Sequence, residues 1–112
     1  MIRTYQGFNA LKNGIGEFPP AGGLYTKPKI DRITIMDAEY VVIPSMEIEE
    51  CTDEKGGYIP LQLEGKGYHE WLEAAMVKEV IRRHLEHNPQ ASIADIVDAV
   101  FYYLEHDTFK DA

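Results

Sequence analysis

The sequence predicts an α+β fold: a small antiparallel sheet of about three strands, two C-terminal amphipathic helices packed on it, and an irregular N-terminal segment. Three observations carry this. Through the middle of the chain apolar residues alternate with polar ones, the period of a half-buried strand. After Tyr68 the apolar spacing lengthens to the 3.6-residue period of a helix. Before residue 31 neither period holds, because glycines and the prolines at 19, 20 and 28 keep interrupting the pattern. At 112 residues, 45% of them hydrophobic, the chain suits one domain, 1–112, with a single modest core.

Residues 1–30 carry Phe8, Leu11, Ile15, Phe18, Leu24 and Tyr25 among the breakers, so they read as a segment draped over the core with a short helix near 6–13. The glycine pairs 22–23 and 56–57 read as turns, since "GIGEFPPAGG" lacks the spacing of a phosphate-binding loop. In 31–64 three strands are expected. Ile33 and Ile35 alternate with Arg32, Thr34 and Met36; "EYVVIPS" is β-branched and aromatic; "YIPLQLEG" reads as a strand with Tyr58, Leu61 and Leu63 apolar. Pro44 places its strand on an edge or ends it, Pro60 argues for an edge position, and the alternation at Met46–Glu49 implies pairing beyond a bulge.

The helical pair is expected over 68–106. One face of the first helix collects Ala74, Val77, Val80, Ile81, His84 and Leu85, with Glu79, Arg82, Arg83 and Glu86 opposite. Asn88-Pro89 stops it. Ser92 and Asp95 have the spacing of a capping pair for a second helix, 93–106, whose apolar face is Ile93, Ile96, Val97, Val100, Tyr103 and Leu104.

Charge narrows the function classes. The net charge of −8 is uneven: residues 1–36 hold five bases against two acids, while residues 37–70 hold nine acids against two bases. A phosphate backbone would be repelled, so direct nucleic-acid binding is not expected, and a basic partner would be attracted. No apolar run approaches the roughly 18–20 residues of a membrane span. The N-terminus also lacks the apolar core of a secretory signal, so the chain reads as cytoplasmic.

Chemistry is sparse. Cys51 is the only cysteine, which excludes an intramolecular disulfide, and its acidic setting in "EIEECTDEK" disfavours a reactive thiolate. His84 and His87 stand three apart on a helix, with His106 or Asp107 as a possible third ligand, but "HLEH" lacks the spacing of a zinc motif. A buried histidine and a helix-terminal charge account for the pair more simply. No metal site, cofactor or catalytic residue is therefore assigned. What remains is a binding surface: the acids Glu47, Glu49, Glu50, Asp53 and Glu54 with Tyr58, and on the second helix Asp95, Asp98, Tyr102 and Glu105. An aromatic on an acidic surface suits anchoring of a protein partner.

The ending "NPQASIADIVDAVFYYLEHDTF" resembles that of a family of small bacterial proteins, through Asn88, Ile96, Ala99, Phe101, Tyr102, Tyr103, Asp107 and Phe109. Some of these are immunity proteins of bacterial competition systems. The resemblance covers about the last 25 residues and implies a non-enzymatic inhibitor of a toxin domain with a basic site. Two alternatives share parts of this reading. One is a phage or mobile-element inhibitor of a nucleic-acid-binding host enzyme. The other is a small metal-dependent enzyme using His84, His87 and His106.

Overall fold

The computed structural model describes residues 2–54 and 57–109, with the backbone alone at 53 and 54. The chain is α+β. In order it forms β1 (Arg3–Gln6), α1 (Phe8–Asn13), β2 (Gly22–Thr26), β3 (Glu39–Pro44), β4 (Cys51–Glu54), β5 (Gly57–Pro60), β6 (His69–Glu73), α2 (Ala74–His87) and α3 (Ile93–His106). It divides into two compact units, with the boundary between Ala75 and Met76 at the start of α2.

The first unit contains a four-stranded antiparallel sheet in the order β1-β3-β2-β6, and β4 and β5 form a separate two-stranded hairpin. The inner strands β2 and β3 are the most buried, with Gly23–Thr26 and Tyr40–Pro44 inaccessible. Cross-strand partners share a face, so Tyr25, paired with Val41, lies beside Ile43 on one side. There they form a core with Ile59 of the hairpin and Leu63 just beyond it, and Ile48 and Tyr68 pack at its margin. The opposite face carries Leu24, Tyr40 and Val42, all buried. Tyr40 donates a 2.6 Å hydrogen bond to the Ile35 carbonyl, and its ring lies 5.5 Å from that of Trp71.

Several local expectations change. The N-terminal segment is irregular in that its elements are short and interrupted, yet two of them are strands of the main sheet. Gly22-Gly23 opens one of these strands and is not a turn; Gly56 lies outside the described residues. The strand expected at 32–36 is a run of turns, because Asp31 competes for the backbone. Its carboxylate accepts from the Ile33 and Thr34 amides at 2.8 Å, and the Thr34 hydroxyl donates to the Lys29 carbonyl at 2.7 Å. Ile35 is fully buried while Ile33 is 85% exposed, so the apparent alternation reflects a turn with one side chain inward. The pairing expected at Met46–Glu49 is replaced by a 3-10 turn at Ser45–Glu47. The third expected strand ends at Pro60, and Leu61–Leu63 is a second 3-10 turn.

The first long helix begins at Ala74. The preceding His69–Glu73 pairs with β2 as an edge strand, with a register slip that leaves Trp71 unmatched. In the second unit α3 runs over the expected 93–106. The Ser92 hydroxyl accepts from the Asp95 amide, and the Asp95 carboxylate from the Ser92 amide, both at 3.1 Å, a reciprocal capping box. The apolar stripes are buried at Val77, Val80 and Ile81 on α2 and at Ile96, Val97, Ala99 and Val100 on α3. Arg82, on the exposed side of α2, pairs with Glu79 at 2.7 Å and with Glu86.

Candidate functional site

Of the acids singled out from the sequence, Glu47, Glu49 and Glu50 come together in the first unit. With Leu61 and Gln62 they line one shallow cleft. Two turns build it. Pro44 holds an extended backbone (φ −61°) and the chain then tightens into the Ser45–Glu47 turn, closed by the Ile48 amide donating to the Ser45 carbonyl at 3.1 Å. The Leu61 amide donates to the Glu50 carbonyl at 2.9 Å, and the Gln62 side chain to the Glu47 carbonyl at 2.7 Å. These bonds fasten the two ends of the hairpin segment to each other.

The hairpin alternates sharply. Ile59 is fully buried in the core, whereas Tyr58 beside it is 77% exposed. Met46 is 88% exposed and Leu61 48% exposed. Leu61 thus lies in the cleft with the three carboxylates, and Met46 and Tyr58 are large apolar groups exposed in the same segment of chain. The side chains of Asp53 and Glu54 lie outside the described residues. Cys51 is exposed and unpaired in β4.

The second group lies on α3. Asp95, Asp98, Tyr102 and Glu105 follow helical spacing and share one stripe. Their duties differ. Asp95 is held in the capping box, and Tyr102 is half-buried with its ring 4.3 Å from that of His106, not fully presented to solvent. Glu105 is exposed, 4.0 Å from His106. Asp95 thus has a folding role that its charge alone did not disclose.

The histidines separate by environment. His84 is 6% exposed and both its ring nitrogens lack a hydrogen-bond partner among the described residues, while His87 is exposed. Both line a cleft of about 170 Å³ with Val80, Arg83, Ala99, Thr108 and Phe109. The Arg83 guanidinium lies over the Phe109 ring at 4.2 Å. Asp107 takes a left-handed conformation (φ 55°) as the C-cap of α3, and His106 stacks on Tyr102, so neither completes a site with the other two histidines. Among the described residues no three His, Cys, Asp or Glu side chains are grouped to hold a metal ion.

Some residues take a setting other than the one their sequence pattern suggests. Glu70 and Glu73 lie within a stretch that reads as helix but forms an edge strand, and Met46 and Leu61 sit where strands are expected. Among the described residues no helix is long and apolar enough to cross a membrane. No family model, curated protein or solved structure matches the chain.

Proposed function

We propose that this chain is a non-enzymatic acidic binding protein, an immunity or inhibitor protein that neutralises a bacterial toxin domain by covering its basic site. The observation that carries the reading is the hairpin surface, where Glu47, Glu49 and Glu50 share a cleft with Leu61 and lie in the segment that exposes Met46 and Tyr58. The division of labour is physical. The carboxylates, within a chain of net charge −8, raise the encounter rate with a basic surface. The apolar side chains, once desolvated, slow release. The stripe on α3 offers Asp98, Tyr102 and Glu105 as further contacts.

The test is protection. Cells expressing a toxin domain encoded beside this gene should survive when the chain is co-expressed, and the two proteins should purify as a complex. Replacing Tyr58 and Leu61 together with serine should abolish protection while leaving the fold intact, since both side chains are exposed. Full protection by that double variant would remove the hairpin surface from the account.

A further inference from the structure

The second unit holds a cleft of about 170 Å³ in which hydrogen-bond donors converge. Val80, Arg83, His84 and His87 follow the helical spacing that stacks side chains on one face of α2, so a guanidinium and two imidazoles line it side by side. α3 contributes Ala99, whose single methyl leaves the space that a larger side chain would fill.

The end of the chain completes the wall. Asp107, in the left-handed conformation, closes α3 with its amide donating to the Tyr103 carbonyl at 2.8 Å. The chain then brings Phe109 against Tyr103, rings 5.0 Å apart, and under the Arg83 guanidinium at 4.2 Å. Arg82 pairs with Glu79 and Glu86, whereas Arg83 lies over this aromatic ring. A guanidinium set over a ring keeps its in-plane N–H groups for a second partner. Thr108 adds a hydroxyl to the lining.

His84 supplies the independent observation. It lines the cleft, is only 6% exposed, and neither ring nitrogen has a hydrogen-bond partner among the described residues. Unpaired buried nitrogens are costly, and they point to a partner that the chain does not itself supply. A half-turn of the ring about Cβ–Cγ exchanges nitrogens with carbons in nearly the same outline, so a nitrogen can face the cleft without extra room.

We propose that this cleft binds a phosphate group, with Arg83, His84, His87 and Thr108 as its donors. Each of the four can give an N–H or O–H, and no carboxylate lines the cleft among the described residues. The Arg83 charge repels a metal ion and attracts an oxyanion, to which hydrogen bonds are charge-assisted. A tetrahedral phosphate presents oxygens in four directions, matching donors that arrive from α2 and from the end of the chain; a planar carboxylate presents two from one edge. The space suffices for several water-sized groups, each of about 30 Å³ in the liquid. The net charge of −8 opposes any anion at long range, but screening over about 8 Å at physiological ionic strength leaves the local donors to decide.

The experiment titrates the whole 15N-labelled chain with inorganic phosphate at fixed pH and ionic strength, with methyl phosphate and acetate as parallel arms. The expected result is saturable shifts at the Arg83, His87 and Thr108 amides and at the His84 ring nitrogens, with a dissociation constant on the order of 1–10 mM for phosphate. Acetate should bind several-fold more weakly. Tighter binding of methyl phosphate identifies the ligand as a monoester, and tighter binding of inorganic phosphate identifies the free ion. R83Q should lose about tenfold in affinity, and H84L several-fold with the fold intact. H106Q, which removes a histidine outside the cleft, should bind as the native chain does. Absence of saturable shifts, silent His84 ring nitrogens, equal affinity for acetate, or undiminished binding by R83Q overturns the site. The titration needs no protein partner, so the outcome of the protection assay leaves its result standing.

Discussion

Ile59→Ala tests how the hairpin is held. Among the described residues β4 and β5 pair only with each other, so no ladder hydrogen bond there ties them to the four-stranded sheet. Attachment falls to Ile59, fully buried among Tyr25, Val41, Ile43 and Leu63. Truncating a fully buried isoleucine costs about 2–5 kcal/mol, transfer and cavity terms together. Taking about 3 kcal/mol and a urea slope of about 1.5 kcal/mol per M, the denaturation midpoint should fall by about 2 M. The Gly22, Gly23 and Tyr25 amides should shift at the same time, since Tyr25 shares that core. A midpoint within about 0.3 M of the native value, equivalent to about 0.5 kcal/mol, would refute the reasoning and leave the hairpin resting on its surface bonds alone.

Ser92→Ala should destabilise the chain by about 1 kcal/mol by removing one half of the capping box; a change below about 0.3 kcal/mol in the same denaturation assay would contradict the cap's role. His84→Leu should raise stability by about 1–2 kcal/mol, because it removes two unpartnered nitrogens from a buried position. A loss of more than about 1 kcal/mol would mean the imidazole has a partner that leucine cannot replace. The Tyr68 hydroxyl and the Gln6 amide hold the Glu39 carboxyl below its ordinary value of 4.5. A depressed carboxylate contributes stability above its unfolded pKa and loses it as pH falls through the folded one. Glu39→Gln should therefore flatten the decline of melting temperature below about pH 4.5, and an unaltered acid limb counts against the link. Tyr25 works in the opposite sense: raised from 10.0 to about 12, it contributes stability that is lost as pH climbs between those values, and Y25F should soften that alkaline limb.

Legibility in the sequence followed the physics of each element. α3 was readable to the residue because its cap, its apolar spacing and its stop signal agree. His84 was readable as a buried side chain because it falls on the apolar stripe of α2. His69–Glu73 was not readable as a strand: "HEWLEAAM" continues a helical pattern, and only pairing with β2 makes it extended. Tertiary pairing overrode local preference there. The turns at 32–37 hid behind an isoleucine alternation that Asp31 and Thr34 redirect with side-chain hydrogen bonds. Of the site, the acidic charge of 47–50 was legible, whereas the apolar reading of Tyr58 with Leu61 and Leu63 hid its exposure.

The central claim is that the hairpin surface steers and holds a basic partner. The most direct measurement is the association rate with the purified toxin domain as a function of salt, for the native chain and for the E47Q/E49Q/E50Q variant. The native rate should fall steeply as ionic strength rises, and the variant should start lower at low salt with a flatter slope and converge near 1 M, where the screening length is about 3 Å. Identical rates and slopes for the two proteins would contradict the account.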